Sequence, residues 1–418
     1  MFLMIFTTLV ASLACFIFLY YLLYSNRSGE SHISRINDPN LCRLVIAGRY
    51  KKHNQLPPLL ARALPNQRLR IAFGINNVFT SNDESYVKDF VKKAKDSIKV
   101  TPDEWSYLSD HARNVVKTYL MGSDNSPVVR IKLTSLIQVL SMRLAIWVLF
   151  GRAKDGPTYR VQDRDLVSLA EAINQRWLAS KGNEIPRFEE DHDLQAGLSA
   201  VFPDHNILDP EGNPLNLVMP AFETLWRAAL RMFIEVRFIT GRRSPEWHQA
   251  LAEFARKPTK EQFTLQGAEG GISAEFLVSE ALRLYPPTRR IHRAFKWAGS
   301  DSTVTIAADI EASHSMASIW GPDATTFNPR RWGSISAEQR NAYFPFGSRP
   351  FLCPASSVFG PWMIGLLVGA LIGELPKDWR LDSANQAVLK DLNSGGRLRG
   401  ERDAYEEVWL AKDLGRVD

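Results

Sequence analysis

The sequence predicts a mainly α-helical protein with minor β structure. Apolar residues recur at helical spacing beside charged faces over several long stretches, while strand-type alternation is confined to short pieces such as STVTIAA, Ser302 to Ala308. Of the 418 residues 45% are hydrophobic and 23% charged, a globular composition that excludes whole-chain disorder and supplies a sizeable core. The net charge of +6 is scattered without aromatic interleaving, so no nucleic-acid partner is expected. Cys15, Cys42 and Cys353 make no even, regularly spaced set. A disulfide framework is therefore not expected, which fits a reducing, cytosol-facing location.

The elements follow in chain order. Met1 to Tyr24, MFLMIFTTLVASLACFIFLYYLLY, carries no charge and is long enough to span a bilayer. A cleaved signal peptide is the other reading, since ASLAC mimics a cleavage site. Against it, the stretch lacks a basic leading region and its apolar run exceeds the usual length. The basic residues that follow, from Arg27 to Lys52, would hold the downstream chain on the cytoplasmic side. The expected organisation is a transmembrane signal anchor over 1–24 and one further domain over 25–418. Pro39, Pro57, Pro58 and Pro65 break the next stretch into linker, short helices and loop. Helical spacing then covers Asp83 to Val100, Glu104 to Leu120, Asp163 to Lys181 and the region around Phe188 to Val201. Val129 to Gly151 reads as a single buried helix, in which Lys132 and Arg143 argue against a second membrane span.

In NPLNLVMPAFETLWRAALRMFIEVRF, Asn213 and Pro214 form a good cap and first-turn pair for a long helix with much of its circumference apolar. Pro220 inside it removes an N–H bond to the carbonyl of Asn216, and Glu223 and Thr224 lie one turn on. Two readings stand side by side: a kinked core helix with an incidental polar pair, or a helix opened so that an acid and an alcohol can hold a small polar ligand and pass protons to it.

Further on, Glu280 and Arg283 share a helix face that Pro286 and Pro287 end. The segment IWGPDATTFNPRRW carries Arg331 and Trp332 in a proline-restrained turn. Then FPFGSRPFLCPA, Phe344 to Ala355, sets Cys353 in a stiff aromatic loop. A packing cysteine needs no such frame. A metal-ligating thiolate does, because its sulfur must be fixed, shielded and supplied with N–H groups.

With a Glu-x-x-Arg helix, a Phe-x-Pro-x-Arg-Trp segment about fifty residues later and a Cys loop about twenty beyond it, the chain resembles the cytochrome P450 family of haem-thiolate monooxygenases. The likeness is closer to its membrane-anchored fungal members. The matching residues are Glu280, Arg283, Phe327, Pro329, Arg331, Trp332, Phe346, Gly347 and Cys353, with Ala221, Glu223 and Thr224 in the proline-containing helix. The similarity runs from about Asn213 to Pro361 and is loose before that.

The resemblance implies a cytochrome P450-like haem-thiolate fold, shortened before Asn213, with haem b (iron protoporphyrin IX) as cofactor. Cys353 would be the axial ligand of the haem iron, with Phe346 packed beside it. Glu280, Arg283 and Arg331 would form a buried network that holds the loop. Glu223 and Thr224 would deliver protons to bound dioxygen. Arg349 is the loop's one candidate for propionate contact, and His292 and Arg293 could reach propionates or form a solvated basic turn. The chain departs from the usual loop at Arg349, Phe351 and Ala355, where glycine, a basic residue and glycine are common, and at Ala221, where glycine is usual.

The implied activity is hydroxylation or epoxidation of an apolar small molecule with O2 and electrons from NADPH through NADPH-cytochrome P450 reductase. The implied setting is fungal secondary metabolite biosynthesis at the endoplasmic reticulum membrane, with the catalytic domain cytosolic. The alternatives are an O2-independent haem-thiolate enzyme of rearrangement or radical coupling, and a non-catalytic, degenerate membrane-bound member. The Glu223–Thr224 pair favours dioxygen chemistry, which alone requires proton delivery.

Overall fold

A computed structural model describes residues 33–50, 54–121, 128–151, 161–267 and 271–413. The expected anchor at 1–24 lies outside the described residues. Helices begin where side chains or prolines answer their free N–H groups. Asp38 accepts the N–H of Leu41 at the start of α1 (Pro39–Ile46), Pro58 opens α2 (Pro58–Ala63), and Asp83 accepts the N–H of Tyr86 ahead of α3 (Glu84–Ser97). The other longer helices are α4 (Pro102–Met121), α5 (Leu133–Phe150), α6 (Asp163–Ala179), α7 (His192–Val201), α8 (Leu215–Phe238), α9 (Pro245–Arg256), α10 (Ala274–Leu284) and α11 (Phe359–Glu374).

α5, α8 and α11 supply the centre of the main apolar cluster. α5 is the one helix among the described residues long and apolar enough to cross a membrane, yet 83% of it is buried inside the protein. A helix apolar all round is at home in a core, and Arg143 on α5 reaches Asp163 at 2.6 Å. The expected single helix from Val129 to Gly151 is corrected at its start. Residues VVRIK form a strand, β2 (Val128–Lys132), because Val129 and Ile131 bury one face at period two while the strand pairs with β6 (Trp409–Asp413).

The two sheets are small. One has the order β1 (Ser34–Ile36), β4 (Thr303–Asp309), β3 (Arg290–Lys296); the other has the order β2, β6, β5 (Arg380–Asp382). The antiparallel β3–β4 hairpin sets His292 opposite Ala307 and Arg293 opposite Ile306.

α8 is capped as its sequence implies. The Asn213 side chain accepts the N–H of Leu215 at 2.9 Å and donates to the carbonyl of Phe73 at 3.0 Å. The helix runs without interruption through Pro220. The carbonyl of Asn216, which Pro220 leaves without its helical donor, is met by the side-chain amide of Asn77 at 3.5 Å. An opened helix is thus not what forms; a neighbouring loop supplies the missing donor.

Candidate active site

The most fully bonded polar assembly among the described residues centres on Glu280 of α10. Its carboxylate accepts from Arg283 at 2.7 and 2.9 Å, from Arg331 at 3.1 Å, from the N–H of Asn328 at 2.9 Å and from the indole of Trp332 at 3.0 Å. Glu280 and Arg283 are both fully buried. Arg283 spends its other donors on the carbonyls of His314 at 2.7 Å and Ala324 at 2.6 Å, and Arg331 pairs with Asp323 at 2.9 Å. Charges this deep persist only when their lone pairs and N–H groups are answered, as here.

His314, which no sequence pattern marked, carries this assembly to the Cys loop. Its Nε2 accepts the N–H of Phe344 at 3.1 Å, which assigns the ring hydrogen to Nδ1, and Nδ1 donates to the carbonyl of Arg283 at 3.0 Å. Burial pushes its pKa down to about 3, so the ring is neutral.

The loop itself is closed by backbone bonds. The N–H of Gly347 reaches the carbonyl of Phe344, and the N–H of Cys353 that of Phe346, each at 3.0 Å. Gly347 has a φ of +74°, a conformation that glycine adopts freely. The ring of Phe346 lies on the first turn of α11, where a Cβ on Gly360 would come within 2.8 Å of it. Cys353 ends up half-buried. Burial pushes its thiol up, against a bond from the N–H of Ala355 that pulls it down.

On α8, Glu223 and Thr224 take separate partners. Glu223 is buried and paired with Arg402, and its Oε1 has no hydrogen-bond partner. Thr224 is half-buried and donates to the carbonyls of Pro220 at 3.0 Å and Ala221 at 3.1 Å, which leaves its oxygen lone pairs open.

A second group of cations flanks Phe351, two residues before the cysteine. The guanidinium carbons of Arg62 and Arg293 lie 4.5 and 5.2 Å from its ring centre. Arg62 is 5% exposed, and its Nε and Nη2 have no partner. Arg293 donates only to the carbonyls of Ile46 and His292. Burial lowers Arg62 to about 10 and, with the charge of Arg62 added, Arg293 to about 9. His292 is lowered to about 4 by burial and then by nearby arginines, so it too is neutral. Arg349 is exposed, on the rim of a cleft of about 490 Å³ that Arg43, Phe344, Phe346 and Leu352 also line. Arg62 and Arg402 give no signal in the sequence, because each is a single arginine far from any motif.

No protein-family model matches the chain. Among curated proteins, cytochrome P450 72A68 of Medicago truncatula is 33% identical over 125 residues, 27% of this chain and 23% of that protein. Cytochrome P450 734A6 of Oryza sativa subsp. japonica is 31% identical over 128 residues, 26% and 22% of the two chains. The matched stretch thus spans less than a quarter of either relative. The likeness to solved structures extends much further. CYP175A1 from Thermus thermophilus superimposes with a TM-score of 0.54 at 17% identity, over 83% of this chain and 82% of that one. A 6-coordinated cytochrome P450 from another strain of the same organism gives 0.53 at 19% identity, over 87% and 91%.

The fold is therefore the cytochrome P450 fold, mainly α with two small sheets. The curated relatives that match about a quarter of its length are cytochrome P450s as well.

Such proteins carry haem, and the residues present suit one. A shielded thiol at the end of a braced loop is a donor that iron would hold as thiolate. Two buried guanidinium groups without a carboxylate, beside that loop, suit the two carboxylates at the porphyrin edge.

Proposed function

We propose that the chain is a haem-thiolate monooxygenase that hydroxylates or epoxidises an apolar small molecule, drawing electrons from NADPH through a membrane reductase. The observation that carries this reading is the half-buried thiol of Cys353 in a loop tied, through Phe344 and His314, to the Glu280–Arg283–Arg331 assembly. When bound, the haem supplies the activation of dioxygen. Cys353 would hold its iron, with Phe346 packed against the loop; Arg62, Arg293 and His292 are the candidates for its carboxylates, and Arg349 lies at the loop's outer rim. Thr224 would hand on a proton from its hydroxyl, and Glu223, fixed by Arg402, would stand as the acid next to it. The anchor expected at 1–24 would place the enzyme on the endoplasmic reticulum membrane, and on the resemblance read from the sequence it would serve fungal secondary metabolism.

The test is co-expression with a reductase and a panel of apolar candidate substrates, watching for product that depends on both NADPH and dioxygen. Turnover that runs without reductant would overturn the monooxygenase reading.

A further inference from the structure

Glu223, Arg227 and Arg231 follow one another at four-residue steps along one face of α8. Opposite them the carboxy-terminal segment brings Arg402, which pairs with Glu223 and stacks 4.7 Å from the ring centre of Trp177. Arg68 stacks on the same indole at 4.9 Å, so one tryptophan of α6 carries two guanidinium groups. Arg227, Arg231 and Arg289 line a cleft with Tyr285, Pro287 and Glu311.

The charges in this region do not cancel. Glu223 is taken by Arg402, and Glu311 is shared between Arg289 and Arg397. Glu401 reaches Arg289 at 3.3 Å. Arg227 and Arg231 donate only to backbone carbonyls, and the Nε of Arg227 is buried without a partner. Among the described residues no carboxylate lies within ion-pair distance of Arg68, Lys181, Arg227 or Arg231. Lys181 follows Ser180, whose hydroxyl accepts from Arg68, and partial burial together with the charges of Arg68, Arg402, Arg227 and Arg289 lowers its pKa. Several cations held together in a half-buried cleft repel one another unless an anion joins them.

We propose that this cluster is an anion site that takes the carboxylate of an otherwise apolar substrate. The proposal rests on the monooxygenase reading and narrows its substrate class. Arg227 stands three residues beyond Thr224, about 4.5 Å along the helix axis. A head group held by Arg227 therefore leaves the attached apolar chain beside the turn that carries Glu223 and Thr224.

The test uses the haem-loaded protein with three probes of equal chain length: dodecanoate, methyl dodecanoate and 1-dodecanol. Binding is read from the spin-state shift of the haem spectrum and, independently, from the rise in thermal midpoint that a ligand selective for the folded state produces. Dodecanoate should bind at least about tenfold more tightly than its ester. Lys181→Ala and Arg227→Gln should each erase most of that preference while leaving the ester's affinity in place. Lys181 is exposed enough that its variant is expected to fold. Equal binding of acid and ester by the unmodified protein would overturn the proposal. It would also be overturned if the variants kept the preference but lost haem, since the cations would then serve the porphyrin carboxylates. A protein that shows no thiolate-type haem spectrum would defeat the monooxygenase reading instead, and the thermal arm would still decide the anion site.

Discussion

The imidazole of His314 accepts the backbone N–H of Phe344 at 3.1 Å while its other nitrogen donates to the carbonyl of Arg283 at 3.0 Å. One buried ring thus fastens the beginning of the Cys353 loop to the ion assembly on α10. Only the neutral ring can do this, because a protonated imidazole has no lone pair for Phe344.

A pH signature follows. The ring has a pKa of about 3 when folded, against about 6.5 when the chain is unfolded. Below pH 6.5 the unfolded state binds a proton that the folded state refuses, so the stability this residue contributes is complete above pH 6.5 and is lost progressively toward pH 3. His314→Ala should be destabilised at pH 7.5, and the gap to the unmodified protein should narrow by about 2 kcal/mol at pH 5. Denaturant melts at the two pH values measure it; a gap independent of pH would mean that the ring is not held neutral.

Removing Arg283 tests the assembly from the other side. Arg283→Ala leaves the Glu280 carboxylate fully buried with its bidentate partner gone, a loss of about 3–5 kcal/mol. The variant should be recovered with little or no haem and a lowered thermal midpoint. Arg283→Lys should fare little better, because a point charge cannot reproduce the fork that also reaches the His314 and Ala324 carbonyls. Normal haem content in both would remove the loop-holding role.

The two described cysteines give a matched comparison. Cys42 on α1 is buried in a separate apolar cluster and donates its S–H to the carbonyl of Ile36 at 3.0 Å, with burial pushing its pKa up to about 12. Cys353→Ser should abolish the thiolate-type carbon monoxide difference spectrum while keeping most of the helix content. Cys42→Ser should keep the spectrum and cost on the order of 1 kcal/mol of stability. The opposite pattern would move the iron ligand.

How much of this is legible in the sequence depends on whether the signal is local. The helix from Leu215 and the one from Glu84 are readable because caps and apolar spacing are written into adjacent residues. β2 reads as helix because Val129 and Ile131 fit either period until the pairing with β6, nearly three hundred residues away, settles it. At the site, Glu280 and Arg283 are visible as a spaced pair on one helix. His314, Arg62 and Arg402 are not, since each acts through a backbone or charge contact made only in three dimensions. Phe351 stands where a basic residue is common in the family, and the structure flanks it with Arg62 and Arg293, cations borrowed from α2 and β3.

The hydroxyl of Thr224 gives the sharpest test of the chemistry, because it can be removed without changing shape. Its donation to the Pro220 and Ala221 carbonyls fixes the rotamer and leaves the oxygen's lone pairs able to receive a proton from a neighbour. If that relay serves dioxygen activation, Thr224→Val should retain haem and its spectrum yet consume NADPH with hydrogen peroxide released in place of product. Thr224→Ser, which keeps the hydroxyl, should restore much of the coupling of electrons to product. Peroxide supplied directly should recover part of the product in the Val variant, because it arrives with the protons already in place. General acid assistance of this kind is worth about 10²–10⁴ in rate, so the loss of coupling should be plain in a ratio of product to NADPH consumed. A Val variant as tightly coupled as the unmodified protein would take Thr224 out of the mechanism and leave proton delivery to Glu223, which Arg402 holds in place.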